Sequence, residues 1–250
     1  MNKNKVAAIT ASFWLMKICA TTLGETAGDL LSMTLDVGYG VSSLILLSVF
    51  AVTLLVQLSL NSFHPFVYWM VILSTSTAGT TISDFMDRTL ELGYAGGASI
   101  LVALLGSVLL AWRATEGNLS VAAITTRRAE LFYWTAILVS NTLGTALGDF
   151  LADDSGLGFF GGAVLIGSLL AIIVLLYYGT RISRVLLFWL AFVLTRPFGA
   201  TFGDLLTKGS DVGGFGFGTI GSSLVLLAVL VTTIVVTTLR HRQEGSPERV

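Results

Sequence analysis

Long apolar runs recur along this chain, and short polar stretches separate each run from the next. A run of about 18 residues or more with hardly a charge is typical of a helix that crosses a lipid bilayer. Eight such runs cover residues 6–31, 41–59, 65–86, 97–113, 131–152, 161–178, 185–206 and 217–239. The pattern predicts an all-α integral membrane protein with about eight transmembrane helices.

Composition agrees with this class of protein. The chain is 54% hydrophobic and 12% charged, and its mean hydropathy is +0.85. A bilayer core is about 30 Å thick and takes about 20 helical residues per crossing, so eight spans leave no room for a separate soluble domain. We therefore expect residues 1–250 to form a single membrane domain.

A fourfold internal repeat organises the eight runs. Each repeat has an aromatic-Trp pair, a glycine ten residues after the Trp and an aspartate fifteen residues after it. The tryptophans are Trp14, Trp69, Trp134 and Trp189, the glycines are Gly24, Gly79, Gly144 and Gly199, and the aspartates are Asp29, Asp84, Asp149 and Asp204. Spacings of 55, 65 and 55 residues indicate a duplicated duplication, with repeats at approximately 6–60, 61–115, 126–180 and 181–240.

Each repeat contains two apolar runs, which predicts four helical hairpins. Because two crossings return the chain to the side it started from, all four repeats enter the membrane from the same side, and their pseudo-symmetry is parallel. Most Lys and Arg residues lie at the chain termini and between repeats. By the positive-inside rule, both termini are predicted to be cytoplasmic.

Small and polar residues share one face of the first helix in every repeat. At about 100° per residue, positions 3, 7, 10, 11 and 14 after each Trp lie within an arc of about 80°, and the aspartate lies about 40° beyond it. In a bilayer such a stripe faces other helices or a water-filled cavity. Its polar members, with neighbouring Thr22, are Lys17, Thr21, Thr22, Ser76, Asn141 and Arg196.

The glycines and the tryptophans have structural interpretations. Gly24 and Gly28 are four residues apart, as are Gly144 and Gly148, and this spacing lets helix backbones approach closely. The four tryptophans are expected in a belt at the cytoplasmic interface.

Buried charges carry the functional prediction, because each costs at least about 2.5 kcal/mol inside a membrane. Five carboxylates against two bases leave a net charge of about −3, which favours cations or protons. Carboxylate and hydroxyl oxygens suit Mg²⁺, Mn²⁺ or Ca²⁺, and the same carboxylates could relay protons. The carboxylates are Glu25, Asp29, Asp84, Asp149 and Asp204, and the bases are Lys17 and Arg196.

Two alternatives use the same residues differently. The acids could cap helices and pair with bases in a membrane scaffold or accessory protein that transports nothing. Lys17 and Arg196 come from the first and last repeats and could together clamp a small organic anion. Otherwise these two bases would tune the charge of the acids.

No catalytic motif stands out in the chain. It has no HExxH, nucleophile elbow, Cys-His pair or P-loop. We therefore predict that it is not an enzyme, and assign neither a catalytic residue nor a bound cofactor. The predicted partners are the lipid bilayer and a small ion or molecule as substrate, a homo-oligomer is compatible, and nucleic acid is not expected.

Three stretches carry a resemblance to a known family: "FWLMKICATTLGETAGD" at 13–29, "TTRRAELFYWTAILVSNTLGTALGD" at 125–149, and "LTRPFGATFGDLL" at 194–206 with "GFGFGT" at 214–219. They resemble a family of bacterial multi-spanning inner-membrane proteins catalogued as uncharacterised "membrane-anchored" proteins. The resemblance implies a multi-pass protein of the bacterial inner membrane and no particular substrate. The functional prediction is a transporter or permease for a small cation, with a divalent metal such as Mn²⁺ or Mg²⁺ and proton coupling as the specific form.

Overall fold

The computed structural model describes residues 5–121, 124 and 126–244. Within these residues the chain forms eight long helices and no β-strand. The helices are α1 (Ala11–Asp29), α2 (Tyr39–Ser59), α3 (Pro65–Asp84), α4 (Gly93–Glu116), α5 (Arg127–Asp149), α6 (Gly158–Gly179), α7 (Arg184–Thr207) and α8 (Thr219–Glu244). All eight predicted helices are present, although α1 begins five residues later than the apolar run that predicted it.

Local sequence signals explain where the odd-numbered helices begin. The hydroxyls of Thr10, Thr126 and Ser183 accept hydrogen bonds from backbone N–H groups three residues further on, and so satisfy a donor that the first helical turn leaves unpaired. Helix α3 begins instead with Pro65, whose missing N–H is no loss at the first helical position. The predicted first helices therefore have well-defined starts.

The first three odd helices end in the same way. Each runs past its repeated aspartate into one wide π-helical turn, at Leu30–Thr34, Phe85–Thr89 and Phe150–Asp154. The chain then reverses through residues with positive φ, and in each of the three links a glycine of this kind begins or directly precedes the next helix: Gly38 (φ 80°), Gly93 (φ 66°) and Gly158 (φ 67°). Glycine adopts this conformation without the steric cost that a side chain adds, which accounts for the glycine-rich links.

The four odd helices form a closed ring. Helix α1 packs against α3 and α7, and α5 packs against the same two helices on the opposite side. Their aromatic N-terminal ends meet at one end of the ring, and the repeated aspartates at their C-terminal ends meet at the other. The four helices therefore run parallel, as the predicted pseudo-symmetry requires.

The even helices surround this ring, each packed mainly on the next repeat. Helix α2 packs on α3, α4 on α5, α6 on α7, and α8 returns to α1. Each repeat does supply two consecutive helices, but these two do not form the main packing pair that a simple hairpin would have. The outer helices thus link neighbouring repeats around the whole ring.

Glycines permit the close contacts between neighbouring odd helices. The position-10 glycine of each repeat lies against the position-7 residue of the next: Gly24 against Ser76, Gly79 against Asn141, Gly144 against Arg196 and Gly199 against Thr21. At Gly199, an added Cβ would lie 2.6 Å from Thr21 Oγ1 and 2.8 Å from its backbone carbon. The predicted packing role is confirmed for Gly24, Gly144 and Gly199, and Gly79 makes the equivalent contact in the second repeat.

An aromatic layer closes the N-terminal end of the ring. In it, the aromatic residue of one repeat lies against the Trp of the next. Ring centroids are 5.6 Å apart for Phe13 and Trp69, 5.5 Å for Tyr68 and Trp134, and 5.8 Å for Phe188 and Trp14. Between the third and fourth repeats, Trp112 of α4 lies between the two aromatic residues, with ring centroids 6.4 Å from Tyr133 and 5.7 Å from Trp189.

The prediction of an interfacial tryptophan belt is wrong for most of these residues. Trp69, Trp134 and Trp189 are buried, and only Trp14 is half-buried. Their sequence positions near helix ends fit a belt equally well, but the ring turns these side chains toward neighbouring helices. They seal the bundle instead of facing headgroups.

Five of the helices in the described part of the chain are long and apolar enough to span a membrane: α2, α4, α6, α7 and α8. This indicates a membrane protein. Helices α1, α3 and α5 fall short of that hydropathy, because their polar stripes are buried against other helices and need not be compatible with lipid. Composition alone therefore supports five of the eight predicted spans.

Substituting Gly79 with Ala should destabilise the bundle. The added Cβ would lie 2.9 Å from the backbone nitrogen of Thr142 and 3.0 Å from the backbone carbon of Asn141, and a side-chain rotation cannot relieve a clash with backbone. We expect a loss of about 1–3 kcal/mol in unfolding free energy. Gly106→Ala is the control, since its Cβ would meet no atom within 4 Å. Denaturant unfolding in detergent measures both, and equal stability of the two variants would contradict this packing role.

Candidate functional site

The predicted polar stripes are buried in the interior of the ring. Lys17, Thr21, Thr22, Ser76, Asn141 and Arg196 are each at most 1% exposed. Several of these side chains form hydrogen bonds within their own helix: the Thr21 and Thr22 hydroxyls both donate to the Ile18 carbonyl, at 2.9 Å. Thr21 is also 3.1 Å from the Thr195 carbonyl of α7, so it joins two helices as well.

A hydrogen bond crosses the centre of the ring. Lys17 Nζ on α1 donates to Asn141 Oδ1 on α5 at 3.2 Å, and the Asn141 amide donates to Thr75 Oγ1 on α3 at 2.9 Å. Lys17 also lies over the Phe192 ring of α7, 4.1 Å from its centroid. The Lys17 amine therefore contacts side chains of α5 and α7 directly and is linked to α3 through Asn141.

Glu25 and Arg196 form a buried ion pair above Lys17. Arg196 Nη2 lies 2.8 Å from Glu25 Oε2, and both side chains are at most 4% exposed. The same nitrogen donates to Thr80 Oγ1. Arg196 Nε and Nη1 have no hydrogen-bond partner among the described residues. Of the two predicted bases, Arg196 thus pairs with an acid, whereas Lys17 has no carboxylate within 4.0 Å among the described residues.

The four repeated aspartates form an acidic mouth at the C-terminal end of the ring, together with two bases that were not predicted as site residues. Arg88 lies 3.1 Å from Asp84 and 3.5 Å from Asp149. Lys208 lies 2.9 Å from Asp29 and 3.3 Å from Asp204. Each base thus joins the aspartate of its own repeat to that of a neighbour.

A sequence signal for these two bases does exist. Arg88 follows Asp84 by four residues, and Lys208 follows Asp204 by four, a spacing that places both members of a pair on one helix face. Repeats one and three have Met33 and Asp153 at this position. A base thus follows the aspartate in every second repeat, which matches the duplicated duplication. The contacts of these bases with neighbouring repeats do not follow from this spacing, because they depend on how the ring closes.

Lys208 stays charged in this environment. Partial burial lowers the pKa of its amine, but the attraction of Asp204 and Asp29 outweighs that effect and leaves the pKa above the ordinary value for lysine. A quarter of its side chain is exposed, and about a third of Arg88, so the acidic mouth is the accessible end of the polar interior.

The predicted net charge of −3 needs correction. With Arg88 and Lys208 included, five acids face four bases, and the whole set carries a formal charge of −1. This charge is unevenly distributed. Four aspartates and two bases give the acidic mouth a formal charge of −2, while Glu25, Arg196 and Lys17 give the interior a charge of +1.

Three carboxylates converge closely enough to share one ion. Oxygen atoms of Glu25, Asp149 and Asp204 all lie within 4.8 Å of one another, and all three side chains are buried. They come from α1, α5 and α7, so the ring itself assembles this set. Asp29 and Asp84 lie outside the group and face Lys208 and Arg88. Of the five predicted ligands, three come together as a candidate cation site.

These features define an all-helical bundle of four repeats, whose apolar outer helices indicate a membrane protein. The chain belongs to the family described as Repeat of Unknown Function (DUF347), whose model matches residues 12–62, 67–118, 132–183 and 187–243. Four matches confirm the fourfold internal repeat, and the family's description agrees with the expectation that it supplies no substrate. No curated protein and no solved structure matches the chain.

Removing one partner of the Glu25–Arg196 pair should be costly. Arg196→Met leaves a buried carboxylate without its cation, and we expect a loss of about 3–5 kcal/mol in unfolding free energy. Adding Glu25→Gln should recover part of that loss, because the double variant has no uncompensated charge at this position. A double-mutant cycle in detergent measures the coupling, expected at about 1–3 kcal/mol. Arg181→Met, at an exposed position, serves as the control, and additive effects at Glu25 and Arg196 would contradict a direct pair.

Proposed function

We propose that this protein is a transporter for a small cation in the bacterial inner membrane. All eight helices would cross the bilayer, and both termini would lie in the cytoplasm. The observation that carries the proposal is the convergence of Glu25, Asp149 and Asp204, three buried carboxylates from three repeats with oxygens within 4.8 Å. Each of the three already lies beside one base, at 2.8 Å for Arg196 and Glu25, 3.5 Å for Arg88 and Asp149, and 3.3 Å for Lys208 and Asp204. A bound cation or protons would further relieve the repulsion among the three carboxylates.

The charge of the acidic mouth favours a cation that carries more than one charge. Its four repeated aspartates and two bases have a formal charge of −2, and Asp153, 3.9 Å from Arg88, adds a further carboxylate. Carboxylate oxygens are hard ligands, and the site includes neither sulfur nor imidazole, so Mg²⁺ or Mn²⁺ fits better than copper or zinc. Arg88 and Lys208 lie beside Asp149 and Asp204 as well as the outer aspartates, so a cation would compete with both bases for the converging carboxylates.

The two ends of the ring differ in what covers the polar interior. The acidic mouth is partly exposed through Arg88 and Lys208. At the other end, the aromatic layer is packed shut, and Lys5 pairs with buried Glu130 at 2.8 Å, which fastens the N-terminal segment across α5. In a transporter, the buried Asp149 and Asp204 would have to become accessible at the acidic mouth, and passage would also require the aromatic layer to separate.

Metal uptake into proteoliposomes tests the proposal. With purified protein and a Mn²⁺-quenched dye inside the vesicles, Asp149→Asn and Asp204→Asn should each reduce the Mn²⁺ uptake rate at least about tenfold, since each removes a charged ligand. Asp154→Asn is the matched control, because Asp154 is exposed and outside the cluster. Its uptake rate should equal that of the unaltered protein.

Two results would contradict cation transport. One is uptake no faster than in protein-free vesicles for a panel of Mn²⁺, Mg²⁺ and Ca²⁺, in protein that is folded. The other is equal uptake by all three aspartate variants. Either result, with loss of stability as the only effect of the substitutions, would favour the membrane scaffold or accessory protein.

A small organic-anion carrier is the second candidate, and one observation favours it. Arg196 is fully buried, yet its Nε and Nη1 atoms have no partner among the described residues, and Lys17 has no carboxylate beside it. A carboxylate ligand between these bases would satisfy both. In that case Lys17→Met would abolish uptake of a labelled dicarboxylate, while Asp149→Asn would leave it unchanged.

A further inference from the structure

Lys17 is an amine in an unusual position for a charged group. Its side chain is 0% exposed, and in the part of the chain that the structure describes no carboxylate lies within 4.0 Å of Nζ. Its contacts are the Asn141 amide oxygen and the Phe192 ring. An ammonium has three donors, and here one hydrogen bond and one ring face are offered to them. A full charge is therefore poorly compensated at this position.

The surroundings of Lys17 accept both of its protonation states. A neutral amine can still donate to Asn141 Oδ1, which is held in place because Asn141 donates its own amide hydrogen to Thr75. A charged ammonium keeps that bond and gains attraction from the Phe192 ring 4.1 Å away. Neither state leaves Asn141 without a partner, so proton gain and loss need no repacking of the core.

Titratable groups lie on all four odd helices that surround Lys17. Arg196 on α7 is the nearest base along the stripe, one turn further along, and it is always protonated. Glu25 on α1 is two turns away, and the Tyr68 and Tyr133 hydroxyls on α3 and α5 bond to each other at 2.6 Å. The remaining acids, Asp29, Asp84, Asp149 and Asp204, lie at the mouth, about 18 Å along the helices, and α8 has no titratable residue between Thr219 and Leu239.

We propose that Lys17 is the proton-carrying residue that couples cation movement to proton movement. This inference rests on the proposed cation transport. Lys17 binds a proton when the Glu25–Asp149–Asp204 site is empty and releases it when a cation binds there. On release, the Nζ–H bond breaks, nitrogen keeps the electron pair, and water in the opened path accepts the proton.

The Glu25–Arg196 pair connects the two events. In the cation-free state, the negative charge of Glu25 compensates the positive charge of Arg196, whose Nη2 lies 2.8 Å from the carboxylate. A cation that binds Glu25 takes over that charge, so Arg196 is left less compensated and the interior becomes more positive. Lys17, with no carboxylate of its own, is the group in this interior that can lose a positive charge. Cation and proton therefore exclude each other through Arg196.

Proton release on Mn²⁺ binding tests this coupling. In weakly buffered detergent solution, a pH indicator should report about one proton released per Mn²⁺ bound, and apparent Mn²⁺ affinity should rise about tenfold per pH unit between pH 6 and 8. Lys17→Gln should still bind Mn²⁺, with no proton release and less than a twofold change in affinity over that range. Lys17→Arg cannot deprotonate, so its affinity should be low at every pH.

Asn141→Asp provides a second, independent variant if the Lys17 variants fail to accumulate. It places a carboxylate beside Nζ, which should hold the proton on Lys17 and abolish release on Mn²⁺ binding. Thermal unfolding confirms that each variant is folded before binding is measured. Asp154→Asn, at an exposed position outside the carboxylate cluster, should behave as the unaltered protein.

The outcomes separate the two proposals. If Mn²⁺ binding depends on Asp149 but Lys17→Gln or Asn141→Asp releases protons as the unaltered protein does, Lys17 is not the proton carrier and cation transport stands. If the unaltered protein binds neither Mn²⁺ nor Mg²⁺, the proposed function fails and the coupling fails with it. Loss of proton release in these variants with Mn²⁺ binding retained in Lys17→Gln supports both.

Discussion

The close approach of neighbouring odd helices determines the rest of this structure. A glycine on one helix lies directly against the position-7 residue of the next, and this contact repeats four times around the ring. Because the backbones are so near, short side chains such as Asn141 reach the centre of the ring, and Arg196 reaches across to Glu25. In a membrane, where apolar burial gives no advantage over lipid, packing of small residues is what holds helices together. The polar interior exists because this packing surrounds it.

The fourfold backbone carries chemistry that is not fourfold. At one equivalent position the repeats have Thr21, Ser76, Asn141 and Arg196, so four copies of one helix offer a hydroxyl, a second hydroxyl, an amide and a guanidinium at the same level. Bases follow the repeated aspartate only in the second and fourth repeats. The result is a negative mouth above a positive interior. A symmetric bundle has thereby gained two unlike polar regions without a change in its packing.

Features that repeat along the chain could be predicted, and features that depend on ring closure could not. The eight helices, the repeat, the burial of the polar stripes and the contacts of Gly24 and Gly199 all follow from periodicity and spacing. Arg88 and Lys208 were missed because each contacts the aspartate of a neighbouring repeat, 61 and 179 residues away in sequence. The burial of Trp134 also depends on ring closure. Its place near a helix end does not reveal that a neighbouring helix covers its side chain.

The packing of α8 on α1 has a consequence for biosynthesis. Helix α1 carries Lys17, Glu25 and Asp29 and leaves the ribosome well before α8, the helix that covers its outer side. Until α7 and α8 have been made, α1 lacks two of its three main packing partners and is too polar to be stable alone in lipid. Helix α1 must therefore be retained beside the insertion machinery, or held at the interface, until these two helices have emerged and the ring can close.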